Sequence, residues 1–258
     1  MRNEVVACGA EKSLSSAVAQ AVWTGILLNA LAVALAFTAY KFDYGVSGLP
    51  GQISVAIAVA CVATPVICWL VCRRTNKFIV YGWLRLVSLL SAYALIGIAF
   101  YFYYFIFAPM PVFARVAGLA IGGGLSVYWT VYSYLALTRH IAHSDFEGRA
   151  FDIDDGAIVC RKDFFETLDA AYAERSPFVK WHSWIVMALA PFFLVLSRLL
   201  SMYFGTGGVL FFVAAITFPA SLWLIGVMIR VGVTMIQLPH AMERKYRKPV
   251  LMARDASF

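Results

Sequence analysis

The chain has 258 residues, 62% of them hydrophobic and 14% charged, with a formal net charge of +7. Soluble domains run at roughly 45–50% apolar and about 25% charged, so a water-soluble fold is excluded because it has no way to hide this much apolar surface. The basic residues are dispersed rather than gathered on one segment, which fits anionic lipid headgroups and gives no basis for a nucleic-acid partner.

The apolar residues come in blocks of about 20, the length a helix needs to cross roughly 30 Å of hydrocarbon. Barrel strands would alternate over about ten residues, and that pattern is absent. Backbone groups in lipid must be satisfied within their own segment, so the blocks are read as helices. The sequence predicts an all-α polytopic membrane protein with six spans, forming one membrane domain over residues 1–258.

Span one is Ala21–Tyr40. Its "VALAFTAY" contains Ala34-Leu35-Ala36, the small-residue pattern of a leader cleavage site, but the block is long for a leader and an uncleaved anchor is expected. Asn29 is the carboxamide well inside a span. The following loop, "KFDYGVSGLPG", holds Asp43, the sole carboxylate on that side of the membrane. Span two, Gln52–Cys72, carries three cysteines and Pro65. No cysteine falls in a loop on the Asp43 side, so no disulfide framework is expected. Pro65, and later Pro191 and Pro219, are expected to kink their spans.

Span three is Leu86–Phe107, with Phe78 as an earlier start, and ends in the ring-rich "AFYFYYFIF" of an interfacial aromatic belt. Span four, Val116–Leu137, contains Gly118-x-x-x-Gly122, a smooth face for close helix approach. A homo-oligomer through Gly118 and Gly122 is one expected use of it.

The stretch 138–180 is the one sizeable soluble piece, a loop subdomain between spans four and five. Within it Asp155-Gly156 suits a two-residue turn between Phe151–Asp154 and Ala157–Cys160. "DFFETLDAAYAERSP" reads as an amphipathic helix, with Asp163 and Glu166 in a capping-box pattern and Phe164, Phe165, Leu168 and Tyr172 on its apolar face. That face either rests on the bilayer or bundle base or docks a partner.

Span five, Trp181–Phe204, includes Arg198 near its far end. A long arginine side chain reaches headgroups from that depth, so Arg198 is expected to anchor the span against phosphate or Asp43. Span six is Val209–Ile236. Of the 21 lysines and arginines, Lys41 and Arg115 fall in loops on one side and Arg198 within a span, leaving 18 for the amino terminus, the two loops and the tail on the other side. The positive-inside rule then places both termini and residues 138–180 in the cytoplasm.

The spans lack the buried ionisable relays of proton-coupled carriers. The expected function is a non-enzymatic component of a bacterial inner membrane: an accessory subunit of an envelope or secretion assembly, or a protective immunity or exclusion protein, with membrane or cytoplasmic protein partners. A small-solute facilitator or channel lined by Asn29, Arg198 and the tyrosines is the alternative. A metal-dependent enzyme is the third reading, because His140, His143, His182 and His240 all fall near the cytoplasmic face and imidazoles one helical turn apart can share a metal. No phosphate-binding loop, nucleophile elbow or paired-cysteine motif is present, and no cofactor is expected.

Overall fold

The computed structural model describes residues 2–46, 48–73, 75–144, 146–153, 156–161, 164, 188 and 192–252. Among them, five helical stretches are long and apolar enough to cross a membrane: Leu14–Asp43, Leu49–Cys72, Phe78–Phe107, Val112–His143 and Val195–Tyr246. The chain is a largely helical integral membrane protein.

Helix α1 (Arg2–Leu35) widens into π-helical turns over Ala36–Asp43. Helix α2 (Leu49–Cys72) opens on Pro50, whose missing N–H costs nothing in a first turn. Pro65, deeper in α2, leaves the Cys61 carbonyl without its helical donor. Gly25 of α1 lies against that carbonyl, where a Cβ would sit at 3.6 Å.

Helix α3 (Phe78–Tyr93) passes through π-helical turns, Ala94–Phe102, and closes as Tyr103–Phe107. It begins at Phe78, the earlier of the two expected starts. The wide turns coincide with the small residues Ala94, Gly97 and Ala99, and Tyr40 uses the space: its hydroxyl donates to the Ala99 carbonyl at 3.3 Å. Tyr40, Ala36, Leu95, Ala99, Tyr103 and Leu210 belong to one buried cluster.

Helix α4 (Val112–His143) extends beyond the expected span at both ends. No proline interrupts it, and Ser144 is the first residue to leave helical geometry. The connecting segment therefore starts at Ser144 rather than Thr138. It holds a short helix α5 (Phe146–Ala150), strand β1 (Phe151–Ile153) and strand β2 (Ile158–Cys160).

Helix α6 (Phe193–Val231) breaks at Gly205, whose φ of 64° and ψ of −165° only glycine adopts readily. The chain bends so tightly there that a Cβ on Gly208 would lie 2.5 Å from Phe204 Cβ and 3.3 Å from the Leu200 carbonyl. The expected "GTGG" loop is thus a glycine bend between two helical arms. Past the bend α6 runs through π-helical Gly232–Gln237 into α7 (Leu238–Tyr246), beyond the expected end at Ile236. Pro219 is accommodated inside α6, where Ser221 Oγ donates to the Phe218 carbonyl at 2.7 Å.

An all-α description omits a small sheet. Strand β3 (Val250–Leu251) pairs parallel with β2, giving the order β1-β2-β3. The antiparallel register of β1 and β2, Phe151 opposite Cys160 and Ile153 opposite Ile158, is the one a two-residue connection through Asp155-Gly156 produces.

Candidate functional site

One end of the bundle, here the base, is a packed unit drawn from segments far apart in sequence. Leu14, Phe78, Phe146, Phe151, Phe164 and Val250 share a buried cluster that also holds Cys160 and Met242. Phe164 is the centre of a ring arrangement: its centroid lies 5.1 Å from Phe78, 5.7 Å from Phe151 and 5.9 Å from Phe146, all edge-on. Edge-to-face pairs at these separations add to the stabilisation from area burial.

Polar contacts tie the same segments. Asn76, between α2 and α3, donates through Nδ2 to the Met252 carbonyl at 2.9 Å, and Met252 N–H donates back to the Asn76 carbonyl at 3.0 Å. Tyr81 Oη donates to Asn76 Oδ1 at 3.3 Å. Val250 N–H donates to Glu243 Oε1 at 3.1 Å, and Ile158 N–H to the Pro249 carbonyl at 3.0 Å. The carboxyl-terminal strand therefore links the α2–α3 turn to the hairpin.

The rim of the base is charged. Arg73, Lys77, Arg139, Arg149, Arg161, Arg244, Lys245 and Arg247 are exposed there, with Asp152 and Ile153 exposed on β1. β1 lies at one side of the sheet order, so its outer edge is unpaired among the described strands.

The far end is built differently, from short connections and tyrosines. Thr206 Oγ1 donates to Asp43 Oδ2 at 3.3 Å, joining the glycine bend to the end of α1. Tyr44 packs edge-on against Tyr40 at 5.9 Å, and its hydroxyl is buried with no hydrogen-bond partner among the described residues. Burial, with Tyr104 and Asp43 adding, pushes that hydroxyl up to about 12, so it stays neutral across the physiological range. Tyr44→Phe removes a buried donor that has nothing to bond. It is expected to raise the thermal midpoint by the equivalent of about 1 kcal/mol, measured by melting in detergent. A lower midpoint would show that the hydroxyl does find a partner.

The residues singled out by sequence separate on these two ends. Phe164 is 1% exposed and packed in the base, so it belongs to the core and not to a partner-docking face. The apolar stripe signals burial, and for Phe164 that burial is intramolecular. Phe165, Leu168, Tyr172 and His182 lie outside the described residues. Asn29 is 1% exposed, with Nδ2 donating to the Gly25 carbonyl at 2.8 Å and Oδ1 without a partner among the described residues. It borders an apolar groove between α1 and α2, formed with Ala58, Val62 and Ala63. Arg198 is exposed on the arm before the glycine bend, while Asp43 is engaged by Thr206.

Gly118 and Gly122 have a use within the chain. A Cβ on Gly118 would overlap the Phe105 ring, and one on Gly122 the Tyr101 ring. Tyr101 Oη donates to the Gly118 carbonyl at 2.9 Å, and its ring stacks on Phe218 at 4.0 Å. Self-association through these glycines would have to displace both rings.

Three of the four histidines, His140, His143 and His240, are among the described residues. His143 is exposed with Nδ1 2.7 Å from the Arg139 carbonyl, and His240 is exposed on α7. No cluster of three or more His, Cys, Asp or Glu suited to a metal exists among the described residues. Cys61, Cys68, Cys72 and Cys160 are free thiols.

The structured base, whose hairpin the sequence predicts and whose third strand it does not because β3 is only two residues long, is the feature best suited to present a shaped surface. Comparison with protein-family models, curated proteins and solved structures finds no match for the chain.

Proposed function

We propose that the chain is a six-span protein of a bacterial inner membrane, with both termini and the base in the cytoplasm, serving as a non-enzymatic subunit of an envelope or secretion assembly. The base is its docking platform. The observation that carries this reading is the welding of the α2–α3 turn, the hairpin and the C-terminal strand into one unit. A protein that only filled the bilayer has no need of such a unit.

The sixth crossing has its own support. Phe164 is in the base cluster, and Thr206 is bonded to Asp43 at the opposite end. The chain must pass from base to far end between them. The 18 basic residues on the base side, against Lys41 and Arg115 on the other, support a cytoplasmic base. Exposed Arg198 fits the role of a depth anchor against phosphate on the far side.

Orientation is tested by thiol labelling of intact cells, in a background without the native cysteines. Phe113→Cys, 85% exposed at the far end, is expected to react with an impermeant reagent. Gly148→Cys, exposed on α5 at the base, is expected to react only after the membrane is opened. The opposite pattern would invert the topology. The docking role is tested by co-purification in mild detergent. A stoichiometric partner is expected with the parent chain and its loss with Ile153→Asp on the outer strand. Recovery of the chain alone under crosslinking would overturn the subunit reading.

A further inference from the structure

A cavity of about 500 Å³ opens between the last turns of α4 and the stretch that runs from the π-helical turns into α7. This falls within the size range of small-ligand sites. Ile141, Val233 and Leu238 give it an apolar floor, and Thr138, Ser144, Glu147 and Gln237 give it an oxygen-bearing rim. It lies at the base end of α4, with the exposed Lys245 beside Glu147.

Several rim oxygens have lone pairs that no described residue engages at hydrogen-bond distance. Ser144 Oγ is buried and has no partner among the described residues. Thr138 spends its proton on the Tyr134 carbonyl at 2.8 Å, so its oxygen turns lone pairs outward. Glu147 faces Lys245 at 3.9 Å, longer than a hydrogen bond, with both side chains about half exposed or more. A carboxylate offers about four acceptor sites and the Gln237 carboxamide oxygen two more. Acceptors gathered over an apolar floor call for a ligand with several N–H donors at one end and hydrocarbon at the other.

We propose that this cavity binds an amphiphile through a primary ammonium group, the headgroup chemistry of an ethanolamine phospholipid. The ammonium's three N–H donors go to Glu147, Ser144 and the Gln237 carboxamide, the neighbouring phosphate lies toward Lys245, and the alkyl portion runs over Ile141 and Val233. A quaternary choline group has no N–H and leaves the rim oxygens unpaired, so the site selects against it. The assignment holds whichever side of the membrane the base faces, so it stands or falls separately from the docking role.

The full chain is reconstituted in nanodiscs of equal parts phosphatidylethanolamine and phosphatidylcholine, extracted gently, and its retained lipid counted by native mass spectrometry. The parent chain is expected to favour the ethanolamine lipid by about tenfold, the ratio one charge-assisted hydrogen bond supports. Glu147→Gln is expected to bring the ratio to parity. Ala142→Trp, which fills the cavity from an exposed position, is expected to remove the retained lipid, with melting temperatures confirming that both variants fold. A parallel arm adds soluble glycerophosphoethanolamine. A rise in melting temperature with that compound, lost in Glu147→Gln, would assign the same headgroup chemistry to a soluble ligand. Equal retention of the two lipids by the parent chain, with no response to the soluble compound, overturns the proposal.

Discussion

Phe78→Ala is expected to lower stability by about 3–5 kcal/mol, the range for deleting a fully buried ring. Phe78 is 0% exposed and meets Phe151 at 6.0 Å and Phe164 at 5.1 Å, so its removal leaves a void among three separate segments. The rings have little room to collapse, because Phe151 is held in the sheet and Phe164 also packs on Phe146. Cys160 reports on the same event. It is 0% exposed in the same cluster and in no disulfide, so its thiol is expected to resist alkylation in the parent chain and to react in the variant. Phe78→Leu keeps much of the volume and is expected to cost less. If Phe78→Ala keeps both the parent midpoint and the protection of Cys160, the base is not a packed unit, and the docking platform loses its foundation.

Gly118→Val and Gly122→Val are expected to cost about 3 kcal/mol each, at the upper end of overpacking penalties. The new side chains collide with Phe105 and Tyr101. Tyr101 cannot swing aside cheaply, since it would give up its bond to the Gly118 carbonyl and its stack on Phe218. The measurement is melting of the detergent-solubilised protein at several concentrations. A concentration-independent drop places the effect inside one chain. Gly118→Ala combined with Phe105→Leu is expected to recover part of the loss. An unchanged midpoint with weakened self-association would assign the glycine face to a second copy.

How far the residues announced these features depends on the range of the signal. Long apolar blocks declare helices because lipid leaves the backbone no alternative. The hairpin was legible for a local reason: Asp155-Gly156 between two short runs suits a two-residue turn, which sets Phe151 opposite Cys160, and that pairing is present. Strand β3 was not legible. Val250 and Leu251 are too few to show alternation, and their partners Ile158 and Val159 lie far away in sequence. The glycines of α4 announced a close approach without saying by what, since a face without Cβ atoms fits a ring of the same chain as well as another helix. Phe164 carried the same ambiguity, because an apolar stripe records that a face is covered and not what covers it. The histidines were gathered by topology alone, a weak condition, and among the described residues no group of three metal-binding side chains forms.

The bond between Asn76 and Met252 spans 176 positions of sequence. During synthesis the turn after α2 is made early, and the hairpin follows after α4, but neither can be sealed until residue 252 has left the ribosome and α6 is in the membrane. Through that interval the edge of β2 lacks its partner strand, and an unpaired edge is a template for wrong pairing. Closing β3 against β2 ends the interval. The base is therefore a late product of synthesis, complete only when the last strand has reached a turn made near the start.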